Sequence, residues 1–182
     1  MIIAMAGLPG TGKSTLASAL AEALPGVVLN KDAIRAALFP PNEIEYSHRQ
    51  DDFVFGIMLQ VAEHYLQKFP NKHVILDGRT FSKKPQVDIL MDYCQMYNRS
   101  IVFIKCVCSD ETARSRIEND LVNNNHLAAN RNVTLYQQTK DNADTLLVPH
   151  LTVDTGQALE ACVHACLDYI GFTNEIVKES NE

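Results

Sequence analysis

Residues 7–14 read Gly7-Leu8-Pro9-Gly10-Thr11-Gly12-Lys13-Ser14, and Thr15 follows. This is a full match to the pattern of a glycine, four residues, Gly-Lys and a hydroxyl residue. An apolar run from Ile2 to Ala6 leads in. A helical segment from about Lys13 to Leu24 leads out, with Leu16, Leu20 and Leu24 at every fourth position. The loop therefore wraps over a helix N-terminus, where unpaired N–H groups and the positive end of the helix dipole attract an anion. Glycine suits the positions because a Cβ would block phosphate oxygens and because the loop must visit positive φ. Gly7 opens the loop, and backbone donors are expected from Gly10, Thr11, Gly12, Lys13, Ser14 and Thr15. Lys13 is placed to reach the β- and γ-phosphates of a bound nucleotide, and the Ser14 hydroxyl to ligate Mg²⁺.

Working outward, apolar runs alternate with segments of helical period, the pattern of βα units and a parallel sheet. Strands are predicted at Ile2 to Ala6, Val27 to Leu29, His73 to Asp77, Ile101 to Val107 and Leu151 to Asp154. Between them helices are predicted from about Asp32 to Leu38, Ser47 to Phe69, around Pro85 to Cys94, Glu111 to Asn119, Val133 to Ala143 and Gln157 to Ile170. His73 to Asp77 is continuously apolar until its last residue, as a strand covered on both faces would be. Asp120 to Asn132 holds five asparagines and no apolar period, which predicts a loop. One α/β domain over 1–172 is expected, with a lid around 114–132 and a flexible tail over 173–182.

Composition bounds the reading. The chain has 182 residues, 46% hydrophobic and 21% charged, enough for one core. Its net charge of −6 disfavours a nucleic-acid partner without excluding one. With no apolar run long enough to span a bilayer and no basic leader, a cytoplasmic protein without a membrane partner is expected. The oligomeric state is left as monomer or homodimer. The five cysteines lack any CxxC and read as core packing.

Two nucleotide-hydrolase classes fit poorly. A GTPase reads its base with Asn-Lys-x-Asp after a late strand, whereas Asn30-Lys31-Asp32 has its aspartate one place early and follows the second strand. A water-activating ATPase carries an acidic pair after its second motif strand, whereas Asp77 is followed by Gly78-Arg79. Transfer of the γ-phosphoryl group to a hydroxyl or a phosphate of another molecule remains. Asp32 emerges at the carboxyl end of the second strand, beside the phosphate loop in an open parallel sheet. There it can accept a hydroxyl proton, and Arg35, one helical turn on, can grip an acceptor's phosphate or carboxylate. The competing reading makes Asp32 a helix cap and Arg35 a solvated base.

The segments GLPGTGKST, NKDAIR, VILDGRTF and HLTVDT together resemble the small P-loop kinases, which include polynucleotide, adenylylsulfate and gluconate kinases, chloramphenicol phosphotransferase and AAA-type ATP-binding kinases. The resemblance spans about residues 1–170. It implies a P-loop NTPase three-layer sandwich with a five-stranded parallel sheet in the order 2-3-1-4-5. It further implies ATP and Mg²⁺ as cofactors and a small-molecule acceptor, with a 5′-hydroxyl polynucleotide as the alternative. A non-kinase ATP-binding regulatory module is the reading from a different class. By resemblance Asp32 activates the acceptor and Arg35 holds it, while Asp77 matches either a water-mediated Mg²⁺ partner or an acceptor-binding residue, with Arg79 beside it. A strand-end cap and a solvated base are the competing readings of those two. Arg131, and Arg116 or Arg114, match the lid arginines that clamp the phosphates. For Arg114 and Arg116, pairing with Glu111 or Glu118 is the alternative. Asp154 and Thr155 match the loop beside the adenine, or cap the last helix.

Overall fold

The computed structural model describes residues 1–123, 130 and 132–179. Strand β1 (Ile2–Ala6) is wholly buried and lies at the centre of the sheet. It pairs in parallel with β3 (His73–Asp77) on one side and β4 (Ile101–Val107) on the other. Strand β2 (Gly26–Asn30) adds to β3 and β5 (His150–Asp154) to β4, giving the order β2-β3-β1-β4-β5. Asn30 stands opposite Asp77, and Val107 opposite Asp154, so the carboxyl ends of the strands share one edge.

Helices cover both faces: α1 (Lys13–Ala23), α2 (Lys31–Leu38), α3 (His48–Lys68), α4 (Lys84–Met96), α5 (Asp110–Asn123), α6 (Val133–Asp141) and α7 (Leu159–Glu179). The period-two alternation of β1 divides the core. Ile3 and Met5 join Leu16 and Leu20 of α1 and Cys162 and Cys166 of α7, whereas Ile2 and Ala4 join Met58 and Ala62 of α3 and Leu90 of α4. A third, small cluster of Ala113, Ile117 and Tyr136 fastens α6 to α5. Cys106 packs in the α1 and α7 core, where burial pushes its thiol up to about 12 and keeps it protonated.

Several boundaries differ from the sequence expectation, most by one or two residues. Pairing along β3 recruits Gly26 and Asn30 into β2. Helix α5 continues through Asp120 to Asn123, although Ala113 and Ile117 are its only buried residues and Leu121 and Val122 stay exposed. Helix α7 runs past Ile170 to Glu179, into residues expected to be a tail. Among the described residues no helix is long and apolar enough to cross a membrane.

Candidate active site

The P-loop leaves β1 at Ala6 and enters α1 at Lys13. Gly7, Gly10 and Gly12 all adopt positive φ, at 132°, 79° and 76°. Packing adds a second reason for glycine. A Cβ at Gly7 would lie 2.4 Å from the Cys106 carbonyl oxygen, and one at Gly10 would lie 2.6 Å from that of Ala113. Backbone of β4 and α5 therefore presses on the loop from behind, while its front is left open.

That front forms one wall of a cleft of about 980 Å³, where Pro9, Gly10, Gly12, Lys13, Ser14 and Thr15 are all lining residues. Gly7 and Thr11 lie behind it. Thr11 is buried, with its hydroxyl donating to the Leu8 carbonyl at 2.8 Å and its N–H directed to the same oxygen at 3.4 Å. The expected Thr11 donor is thus spent on shaping the turn. Lys13 Nζ donates to the carbonyls of Gly7 (2.9 Å) and Leu8 (2.8 Å), which folds the ammonium back over its own loop.

Arg116 of α5 reaches the same wall. Its Nη2 donates to the Thr155 carbonyl at 2.8 Å, and its Nη1 to Thr155 Oγ1 at 3.1 Å and to the Gly10 carbonyl at 3.4 Å. Thr155 Oγ1 in turn donates to the Thr11 carbonyl at 2.9 Å. Arg116 and Thr155 together brace the loop, and neither the Glu111 nor the Glu118 pairing forms among the hydrogen bonds that Arg116 makes here. Arg114 instead faces α6, donating to Gln137 at 2.7 Å. Asp154 stays off the cleft wall and closes a turn by accepting from the Gly156 N–H at 2.9 Å. Arg131 lies outside the described residues.

The opposite wall comes from the ends of β2 and β3. The N-cap of α2 is Asn30, whose Oδ1 accepts from the Ala33 N–H at 2.9 Å, so Asp32 is released from capping. Asp32 lines the cleft and accepts from Arg35 Nη1 at 2.5 Å. Arg35, only 1% exposed, is not the solvated base of the competing reading. Its Nη2 is held by Asp51 at the start of α3, and the Tyr46 ring covers it at 5.0 Å. With both Nη groups taken, Arg35 orients Asp32 in this state. Lys31 is bound to the same Asp51 at 2.8 Å, and burial pulls its ammonium down to about 8.

Asp77 lies beneath the cleft rather than on its wall, at 1% exposure. It shares the α1-side face with Ile75, two residues before it. Its Oδ2 accepts from Asn30 Nδ2 at 2.7 Å, while Oδ1 is buried without a protein partner. A hydroxyl at Ser14 and a carboxylate oxygen left unpaired on the face of α1 suit a hydrated Mg²⁺, a hard cation that keeps several waters. Gly78, at φ 90°, lets β3 end against Lys31, whose backbone a Cβ would meet at 3.0 Å. The next residues are held by Phe81, which is wedged edge-on between Phe55 (5.9 Å) and Phe103 (5.6 Å). This anchor fixes Arg79 in the cleft wall with Nη2 donating to Asp52 at 2.5 Å.

Sequence reasoning missed Lys31, Asp51 and Asp52. The two aspartates follow the N-cap Ser47 and read as ordinary acids near the start of a helix, Asp51 in its first turn. Only the return of α3 over α2 turns them toward three cations.

A glycine-rich loop between a central parallel strand and a helix, facing a second charged wall at the same sheet edge, defines a P-loop nucleotide-binding α/β domain. The chain belongs to the AAA domain family, whose model matches residues 2–140. Solved structures of the same fold include a candidate kinase from Chloroflexus aurantiacus J-10-fl, 22% identical over 94% of this chain and 96% of that one (TM-score 0.71). A gluconokinase from Sinorhizobium meliloti 1021 is 19% identical over 99% and 97% (TM-score 0.67). The APS kinase CysC of Mycobacterium tuberculosis, in complex with AMPPNP and APS, is 13% identical over 93% and 96% (TM-score 0.64). At these identities the likeness is one of fold, that of the small P-loop kinases. No curated protein matches the sequence.

Proposed function

We propose that this chain is an ATP-dependent kinase that transfers the γ-phosphoryl group to a hydroxyl of a small-molecule acceptor. The observation that carries the reading is the single cleft with the P-loop on one wall and Asp32 on the other. Its volume suits two small ligands side by side. The kinase neighbours, one a gluconokinase and one holding AMPPNP with APS, support a small acceptor.

In this mechanism the backbone N–H groups of the P-loop and Lys13 hold the phosphates, and Thr155 with Arg116 keeps the loop in shape. Ser14, with Asp77 behind it, would hold Mg²⁺, which supplies neutralisation of phosphate charge. Asp32 accepts the acceptor's hydroxyl proton as that oxygen bonds to the γ-phosphorus and the bond to the β-phosphate oxygen breaks, leaving ADP. Arg35 fixes the Asp32 carboxylate, and positioning with charge neutralisation does most of the catalytic work.

The test is transfer of γ-labelled phosphate from ATP into a metabolite pool. Lys13→Ala is expected to abolish labelling. Asp32→Asn is expected to lower turnover by about 10²- to 10⁴-fold, the usual reach of a general base, with AMPPNP affinity nearly unchanged. Wild-type turnover in D32N would overturn the base assignment. ATP binding without any labelled product would overturn the kinase reading in favour of a regulatory nucleotide switch.

A further inference from the structure

The acceptor wall contains a buried guanidinium whose hydrogen bonds the protein does not complete. Arg79 is 5% exposed, and its Nε and Nη1 have no protein partner. Its Nη2 donates to a single oxygen of Asp52, and the Phe55 ring lies 4.4 Å from its Cζ. Nη2 carries two hydrogens, one on each edge of the fork. One carboxylate oxygen takes one of them, so a whole edge of two parallel donors is left over, the arrangement that fits an oxyanion. Native interiors rarely leave such groups unpaired, and a guanidinium in the wall of a cleft is a place where a ligand completes the set.

Two further observations point the same way. Gln86, on the first turn of α4 and lining the same cleft, has a buried Oε1 without a donor, which suits a ligand hydroxyl. Asp52 is the weak member of its pair. Its side chain is 53% exposed near the start of α3, so it can leave for water, while both unpaired Arg79 nitrogens are buried in the paired state. The charge balance agrees. Along the described lining of the cleft, lysines and arginines outnumber carboxylates six to three, within a chain of net charge −6. Such a local excess concentrates anions.

We infer that the acceptor carries an oxyanion, a carboxylate or a phosphate monoester, alongside its hydroxyls, and that Arg79 takes this group as Asp52 lets go. Asp52 is then an internal stand-in for the acceptor's charge, and Arg79 sets acceptor specificity. The inference rests on the kinase reading above for the word acceptor; the anion site itself is testable alone.

With AMPPNP saturating the P-loop, acetate and inorganic phosphate are titrated in turn at constant ionic strength, and the Nε–H resonance of Arg79 is followed by NMR. The resonance is identified by its loss in Arg79→Lys, which keeps the charge. A saturable shift is expected with one or both anions. Acetate alone indicates a carboxylate acceptor, and phosphate alone a phosphomonoester. Asp52→Asn, at an exposed position, is expected to tighten binding roughly fivefold by removing the competitor. No movement of the Arg79 signal up to about 100 mM of either anion, or equal affinity in wild type and D52N, overturns the inference. Phosphoryl transfer with a silent Arg79 overturns the anion site alone. A responsive Arg79 in a protein that labels no acceptor overturns the kinase reading and leaves the anion site standing.

Discussion

Replacing Gly10 by alanine tests whether the back of the P-loop is as tightly packed as its front is open. The new Cβ would sit 2.6 Å from the Ala113 carbonyl oxygen and 3.1 Å from Ala113 C and Cα, all of it backbone in α5. Restoring an ordinary 3.4 Å contact to that oxygen requires the loop and helix to separate by about 0.8 Å. The left-handed φ of 79° adds about 1–2 kcal/mol for any residue with a Cβ. Overpacking against a rigid neighbour adds about 1–3 kcal/mol. A total of about 2–5 kcal/mol, at about 2–4 °C per kcal/mol for a chain of this length, lowers Tm by roughly 5–20 °C. Gly56 is the internal control, because a Cβ there meets nothing within 4 Å and the residue lies inside α3. Gly56→Ala is expected to raise Tm by about 1–4 °C, from about 0.5–1 kcal/mol of backbone entropy. Calorimetry or urea melts on the two variants decide the matter. A Tm for G10A within about 2 °C of wild type, or a fall in G56A as large as that in G10A, would refute the packing argument.

Other expectations follow from pairs described above or nearby. Glu63 of α3 accepts from Arg99 Nη2 at 2.6 Å and Nε at 3.0 Å, and this pairing holds its carboxyl below the usual carboxylate range. Stability from that group is present above the ordinary carboxylate pKa near 4.3 and is lost as pH falls through the lower folded value. Glu63→Gln is therefore expected to cost about 1–3 kcal/mol at pH 7 and to flatten the loss of stability below about pH 4, as urea melts across pH would show. A slope as steep as wild type would exclude Glu63 as its source. Thr155→Val removes the Arg116 Nη1 bond to Oγ1 and the bond to the Thr11 carbonyl, and AMPPNP binding measured by calorimetry is expected to weaken roughly threefold to tenfold. Thr155→Ser keeps both bonds and is expected to restore affinity. If the serine variant binds as weakly as the valine variant, the hydroxyl is not what braces the loop.

The parts legible in the sequence were those set by local pattern. The apolar runs marked all five strands, the glycine spacing marked the P-loop, and strand-end position brought Asp32 to the cleft. The glycines themselves were legible for only half their reason. Phosphate access and φ can be inferred from the motif, but the Cys106 and Ala113 carbonyls behind Gly7 and Gly10 come from elements about a hundred residues away. Distance in sequence also hid Asp51 and Asp52, whose partners sit on α2 and after β3. The end of α5 was hidden for the opposite reason. Asp120 to Asn123 lies on a helix with little to bury, so no apolar period announces it. Asp77 and Asp154 show the limit of reading a strand end, since two aspartates closing parallel strands of one sheet look alike, yet one is buried under the P-loop helix and the other closes a surface turn.

The strand order has an evolutionary consequence. Everything assigned to the acceptor wall, from Lys31 to Gln86, lies in the uninterrupted stretch of chain over residues 26–86, which builds β2, α2, α3 and β3, the two strands on one side of β1. The bracing of the P-loop by Arg116 and Thr155 comes from the other side, through β4, α5 and β5. Recombination or drift confined to residues 26–86 can retune the second wall of the cleft while the P-loop and its bracing are inherited unchanged, provided Asp77 is kept. A lineage built this way diversifies by exchanging one half of a sheet, and a graft of that single segment between relatives is the corresponding engineering route.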